Sequence, residues 1–149
     1  QPAAPFFSGR HTLAAKRGLQ LNLQCEPDMP FAQGDQRLLT QVFTNLLTNA
    51  IKFSPREGSI HVELTKREGL AVLDVVDQGA GVAAEERERV FEPFFRGTRA
   101  RRGTVKGSGL GLAIAKEYVL AHRGKIEVVE EGSGGHFRVK LPLNWEKKD

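Results

Sequence analysis

Residues 9–143 predict a single α/β (α+β) domain, and three observations carry that prediction. The first is a long amphipathic helix over residues 35–53. There Leu39, Val42, Phe43, Leu46, Leu47 and Ala50 recur at three- and four-residue spacing, which is one apolar face. The second is period-two alternation over residues 19–25, 59–66, 125–130 and 136–141, joined by the nearly all-apolar run 70–76. The third is punctuation: turn residues separate these segments, so strands and helices interleave along the chain. At 149 residues the chain is long enough for one domain with a substantial core.

Composition narrows the class. Forty per cent apolar and 27% charged is ordinary for a globular protein, and there is no repeat or low-complexity tract. No apolar run approaches the roughly 18 residues of a membrane span, and no signal-peptide pattern opens the sequence. Cys25 is the sole cysteine, which excludes an internal disulfide and fits a reducing compartment. With one cysteine and four scattered histidines there is no zinc-type cluster. The net charge of +4 is modest, so its meaning depends on where the charges sit.

In chain order, residues 1–8 read as a linker and residues 9–17 as a short helix carrying His11. Leu19, Leu21, Leu23 and Cys25 share one face of a half-buried strand. Asp35 is placed to cap the helix that follows, and Ser54-Pro55 stops that helix near Phe53. Ile60, Val62 and Leu64 alternate up to a hairpin turn at Arg67-Glu68-Gly69, with His61 on the polar phase. The apolar strand 70–76 belongs near the middle of the sheet. Residues 84–90 read as a short charged helix, and Leu112, Ala115 and Val119 mark another. His122 and Arg123 fit its last turn and Gly124 its end. The strands 125–130 and 136–141 form a hairpin around EGSGG, with His136 at an exposed strand start and Pro142 as the stop. Residues 144–149 are a polar tail.

Four stretches hold residues that a core does not need. Asn45, Asn49 and Lys52 stack on one face of the central helix. Amide oxygens suit Mg²⁺ and an ammonium suits phosphate, although a solvated helix face would carry the same residues. Asp77 ends the central strand and runs into Gly79 and Gly81, a turn that lets a ligand approach while the carboxylate accepts from an amine. Asp and Gly are equally ordinary turn residues. From Arg96 to Lys106 there are five basic residues and no acidic one. That loop fits a solvated linker, a nucleic-acid contact or a phosphate lid, and the lack of interleaved aromatics weighs against single-strand stacking. Finally, Gly107, Gly109 and Gly111 lead straight into a helix, whose free N–H groups and dipole attract an anion. The spacing is neither a P-loop nor a dinucleotide fingerprint.

Taken together, these stretches resemble the catalytic and ATP-binding domain of bacterial sensor histidine kinases, in the GHKL ATPase superfamily. NLLTNAIKF (45–53) resembles its asparagine box and DQGAG (77–81) its first glycine box. FEPFFR (91–96) resembles the phenylalanine box, GSGLGLAIA (107–115) the second glycine box, and GSGGHFRVKLP (132–142) the closing hairpin. The resemblance implies a two-layer sandwich: a mixed, mostly antiparallel five-stranded sheet against about three helices. It implies ATP and Mg²⁺, with Asn49 ligating the metal helped by Asn45, and Lys52 meeting phosphate. Phe53 would stack along the adenine pocket, with Val82 and Phe91 lining it. Asp77 would accept from the adenine amine while Gly79 and Gly81 let the base come close. Lys106, Gly107, Ser108, Gly109, Leu110, Gly111 and Leu112 would cradle the phosphates, and Arg96 would open the ATP lid.

One position separates subclasses. Relatives of this fold that hydrolyse ATP usually carry Glu at the place of Asn45, and an amide cannot act as a base near neutral pH. The resemblance therefore implies phosphoryl transfer to a histidine on a separate dimerisation domain. That acceptor is followed at once by an acidic residue in the family, and none of His11, His61, His122 and His136 is. The expectation is a fragment, monomeric in isolation, that binds no nucleic acid and touches no membrane. Its partners would be the dimerisation domain of its parent and, through that domain, a response regulator. The parent would be a membrane-anchored sensor with a cytoplasmic kinase module. A non-catalytic nucleotide-binding module, a GHKL hydrolase and a nucleic-acid binder are the other readings.

Overall fold

The apolar stripe of the central helix finds its partner in one sheet. In the computed structural model the described residues are 18–27, 29, 33–95, 110–130, 132 and 134–143. The expected linker, the helix over 9–17 and the tail lie outside them. Strand β1 spans Gln20–Cys25, helix α1 Gln33–Phe53, β2 Ser59–Arg67 and β3 Leu70–Val76. Helix α2 spans Gly111–Ala121, β4 Lys125–Val128 and β5 His136–Pro142. The sheet order is β1-β2-β3-β5-β4. Only β1 and β2 run parallel, joined through α1, and the other pairings are antiparallel. This is the mixed, mostly antiparallel five-stranded sheet expected, with two α-helices among the described residues.

Leu39, Val42, Phe43, Leu46, Leu47 and Ala50 are all buried in one cluster with Ile60, Val62 and Leu64 of β2 and Leu73 and Val75 of β3. Phe137, Val139 and Leu141 of β5 complete the same face of the sheet. Alternate residues of each strand point away from the helices, as a period of two requires. Helix α2 packs beside α1 and reaches β4, contributing Ala115 and Val119 to the core.

Several local expectations change. Helix α1 starts at Gln33, so Asp35 lies in its first turn rather than capping it. The charged stretch 84–90 does not form a helix but two single 3-10 turns, Ala84–Glu86 and Arg89–Phe91. It has no apolar face to bury, and burial rather than propensity sustains short helices. At the end of α2, Arg123 takes the left-handed conformation (φ 63°) that glycine usually takes. Gly124 is needed for a different reason, since a Cβ there would lie 2.5 Å from the Lys140 carbonyl oxygen. Pro142 is the last residue of β5, paired with Leu70, rather than a stop before it. The β2–β3 turn does match: Glu68 (φ 53°) and Gly69 (φ 79°) both have positive φ, as a tight hairpin needs.

Candidate nucleotide site

Asp77 stands where β3 leaves the sheet and is 3% exposed. Its Oδ1 accepts hydrogen bonds from two backbone N–H groups, Gly79 at 2.8 Å and Gly135 at 3.1 Å. Its own N–H donates to the Gly135 carbonyl oxygen at 2.9 Å. The carboxylate is thus oriented by peptide groups from two separate segments of the chain.

Close backbone approach builds the rest of this wall. A Cβ on Gly79 would sit 2.2 Å from the carbonyl oxygen of Phe53, the last residue of α1. A Cβ on Gly134 would sit 1.9 Å from the Asp77 carbonyl oxygen. Gln78 ties the turn to the start of β2, its Oε1 accepting from Ser59 N–H at 2.8 Å. Gly81 holds φ at 80° and turns the chain toward half-buried Val82, which packs on the core. The turn that sequence alone leaves open between ligand contact and ordinary chemistry is gripped from α1, from β2 and from the β4–β5 hairpin.

Asn45, Asn49 and Lys52 are half-buried on α1, whose last turn meets this wall at Phe53. Asn49 Nδ2 is buried and has no hydrogen-bond partner among the described residues. An amide rotated about its last bond exchanges oxygen for nitrogen, so this group can offer either atom to a ligand. Unsatisfied buried amides are uncommon because each costs about 1–3 kcal/mol, so its presence fits a site that a ligand completes. No group of three or more His, Cys, Asp or Glu comes together among the described residues. A divalent ion here would therefore meet amide oxygens and phosphate, which suits Mg²⁺.

Across the core, α2 begins at Gly111 after Leu110, a residue with no side chain able to cap it. Its first turn carries no acidic residue, leaving that end electropositive. Leu112 packs against the core. Phe91 is also a core residue, edge-on to Phe137 at 6.0 Å between ring centroids, with the Lys116 ammonium 5.5 Å from its own. Arg96, Lys106, Gly107, Ser108 and Gly109 lie outside the described residues, as does the rest of the basic loop. The structure thus joins Phe53, Asp77 and Gly79 in one wall at the end of α1, the helix that carries Asn45, Asn49 and Lys52.

Sequence reasoning missed two features. Gly134 and Gly135 make the Asp77 wall, although nothing local in EGSGG signals a partner 58 residues away. His136, expected at an exposed strand start, is 7% exposed and bonds Asp74 at 2.7 Å through Nε2. Arg138 Nε donates to the same Asp74 oxygen at 2.7 Å. Burial would raise the Asp74 pKa, but the hydrogen bonds and charges of His136 and Arg138 outweigh it and hold the carboxyl below its ordinary value. The expected positions of His61 and His122 match, and His11 lies outside the described residues. His61 is partly exposed, 3.6 Å from Glu63, and His122 caps α2 with its Nδ1 2.9 Å from the Tyr118 carbonyl oxygen.

The fold is that of an ATPase domain family. Residues 34–144 match the histidine kinase-, DNA gyrase B-, and HSP90-like ATPase family, and the chain belongs to it. It is 40% identical over 137 residues to the sensor-like histidine kinase SenX3 of Mycobacterium tuberculosis, covering 89% of this chain and 33% of that protein. The solved mycobacterial sensor histidine kinase MprB superimposes with a TM-score of 0.80 at 32% identity, covering 92% of each chain. The structure of full-length ShkA in complex with AMPPNP matches with a TM-score of 0.74 at 29% identity, over 89% of this chain and 27% of that one. The chain thus spans between 14% and 35% of the length of these curated relatives. No helix among the described residues is long and apolar enough to cross a membrane.

Proposed function

We propose that this chain binds Mg-ATP between α1 and α2 and presents the γ-phosphate to a histidine on a separate dimerisation domain, as the kinase module of a bacterial sensor. The observation that carries the reading is Asp77: a buried carboxylate at a strand end, aimed by two glycine N–H groups beside the amide face of α1. Its chemistry selects a ligand that donates a proton, which the exocyclic amine of adenine does and a guanine carbonyl does not. Phe53, Gly79, Gly81 and Val82 shape the space for the base. Phe91 supports that region from the core through Phe137.

Lys52 neutralises phosphate charge as a compact cation. Asn49 and Asn45 offer the amide oxygens for Mg²⁺, which when bound neutralises charge on the transferring phosphoryl group. Leu110, Gly111 and Leu112 bring the electropositive first turn of α2 toward the phosphates. The family resemblance assigns Lys106, Gly107, Ser108, Gly109 and Arg96, which lie outside the described residues, to the remaining phosphate contacts and the lid. Asn45 is an amide and cannot deprotonate water, so these residues position a phosphoryl group for a partner's nucleophile rather than for hydrolysis. The parent protein is a membrane-anchored sensor with its kinase module in the cytoplasm, whose dimerisation domain passes the phosphoryl group to a response regulator. ShkA, with its bound AMPPNP, supports the nucleotide assignment, and the sensor-kinase relatives support phosphoryl transfer.

Calorimetric titration with AMPPNP, with and without Mg²⁺, tests the reading. Saturable binding that tightens with Mg²⁺, and phosphotransfer to a supplied dimerisation domain, are expected. Binding without phosphotransfer would replace it with a regulatory nucleotide-binding module. Appreciable ATP turnover by the chain alone would replace it with a hydrolase.

A further inference from the structure

The β4–β5 hairpin touches Asp77 in three ways: a Gly135 N–H to its carboxylate, a Gly135 carbonyl to its N–H, and a Gly134 backbone pressed on its carbonyl. We infer that Gly134 and Gly135 are positioning residues for base selection that act through Asp77. The inference rests on Asp77 being the acceptor for an exocyclic amine.

Oδ1 is held by two donors from separate segments, Gly79 of its own turn and Gly135 of the β4–β5 hairpin. A carboxylate fixed this way has no freedom to follow a ligand, and hydrogen bonds weaken steeply off their preferred angle. Aim is therefore set by the hairpin. A methyl group on residue 134 would lie 1.9 Å from the Asp77 carbonyl oxygen, 2.9 Å from its carbonyl carbon and 3.1 Å from Gln78 Cα. All three are backbone atoms, so no side-chain rotation relieves the contact. Either the hairpin retreats, withdrawing the Gly135 N–H, or the Asp77 peptide turns, and both move the carboxylate. The disturbance stays local, because the next residue of β5, His136, is anchored to Asp74 at 2.7 Å and the β3–β5 ladder continues to Pro142.

The test compares ADP with inosine diphosphate, which carries a carbonyl where adenine carries its amine. Affinities are measured by calorimetry for the unchanged chain, Gly134→Ala, Asp77→Asn and the double variant. The unchanged chain is expected to prefer ADP by roughly tenfold or more. Gly134→Ala should lose several-fold of that preference while its affinity for inosine diphosphate holds, and the double variant should lose no more than Asp77→Asn alone. Equal weakening toward both nucleotides would mean a merely structural role and would overturn the inference, as would an unchanged preference. If the unchanged chain does not discriminate at all, the Asp77 reading itself fails and takes the inference with it. Discrimination lost in Asp77→Asn but kept in Gly134→Ala removes the inference alone. Should Gly134→Ala not fold, the Gly135 amide proton of the unchanged chain decides. Its NMR resonance is expected to move with ADP and to stay with inosine diphosphate, and the same movement with both would overturn the proposal.

Discussion

Asp74 and Asp77 lie three residues apart around the end of β3, and both are buried, at 5% and 3% exposure. Their surroundings differ in kind. Asp74 points away from the helices and meets two cationic or protonatable side chains, His136 and Arg138, each 2.7 Å away. Asp77 is held by peptide N–H groups of two glycines. A carboxylate matched with side-chain cations is neutralised within the fold and serves stability. One oriented by peptide N–H groups, beside glycines that leave no room for a Cβ, can accept from something that arrives. Burial alone does not distinguish the two; the identity of the donors does.

The comparison can be broken most forcefully at Asp74. Asp74→Ala leaves His136 and Arg138 without their shared partner, and should cost about 3 kcal/mol in chemical denaturation while nucleotide preference persists. Asp77→Asn should show the reverse. The asparagine oxygen can still accept from Gly79 and Gly135, so unfolding should barely change, but its amide would face the ligand's amine and cost about 2 kcal/mol of ADP affinity by calorimetry.

A subtler contrast is pH. The folded pKa of Asp74 lies below its ordinary 3.8, so its contribution is present above about that value and is lost as pH falls through the lowered one. Asp74→Asn should therefore flatten part of the fall in stability seen by thermal unfolding as pH drops below about 4. The smallest effect belongs to Glu63, paired across the sheet with Asp74 but only half-buried and 3.6 Å from His61. Glu63→Gln should shift stability by less than about 0.5 kcal/mol.

Where the sequence was legible, the reason is periodicity. The six residues of the α1 stripe are all buried, and the apolar run 70–76 is the middle strand. Local pattern also located the α2 terminus and the β2–β3 turn. What periodicity cannot carry is pairing between distant segments. His136 falls on the polar phase of its strand, and only the β3–β5 register brings it to Asp74. Gly134 and Gly124 look like flexible turn residues, yet each is a glycine because another backbone passes within 3 Å of where its Cβ would be. The stretch 84–90 misleads in the opposite direction, since good helix formers without an apolar face settle for 3-10 turns. Around Asp77, residue chemistry singled out Asp77, Gly79 and the polar face of α1, and the hairpin was legible too, but its contact with Asp77 was not.

The sheet order has a consequence for synthesis. Strand β5 is the last among the described residues but inserts between β3 and β4, not at an edge. Asp77 leaves the ribosome early and acquires its Gly135 donor only when residues near the end of the domain have emerged and zipped into that gap. A nascent or truncated chain can contain every boxed motif up to residue 115 and still lack an aimed acceptor. On the proposed function, the acceptor is therefore complete only once β5 has joined the sheet, so folding finishes before the nucleotide is gripped.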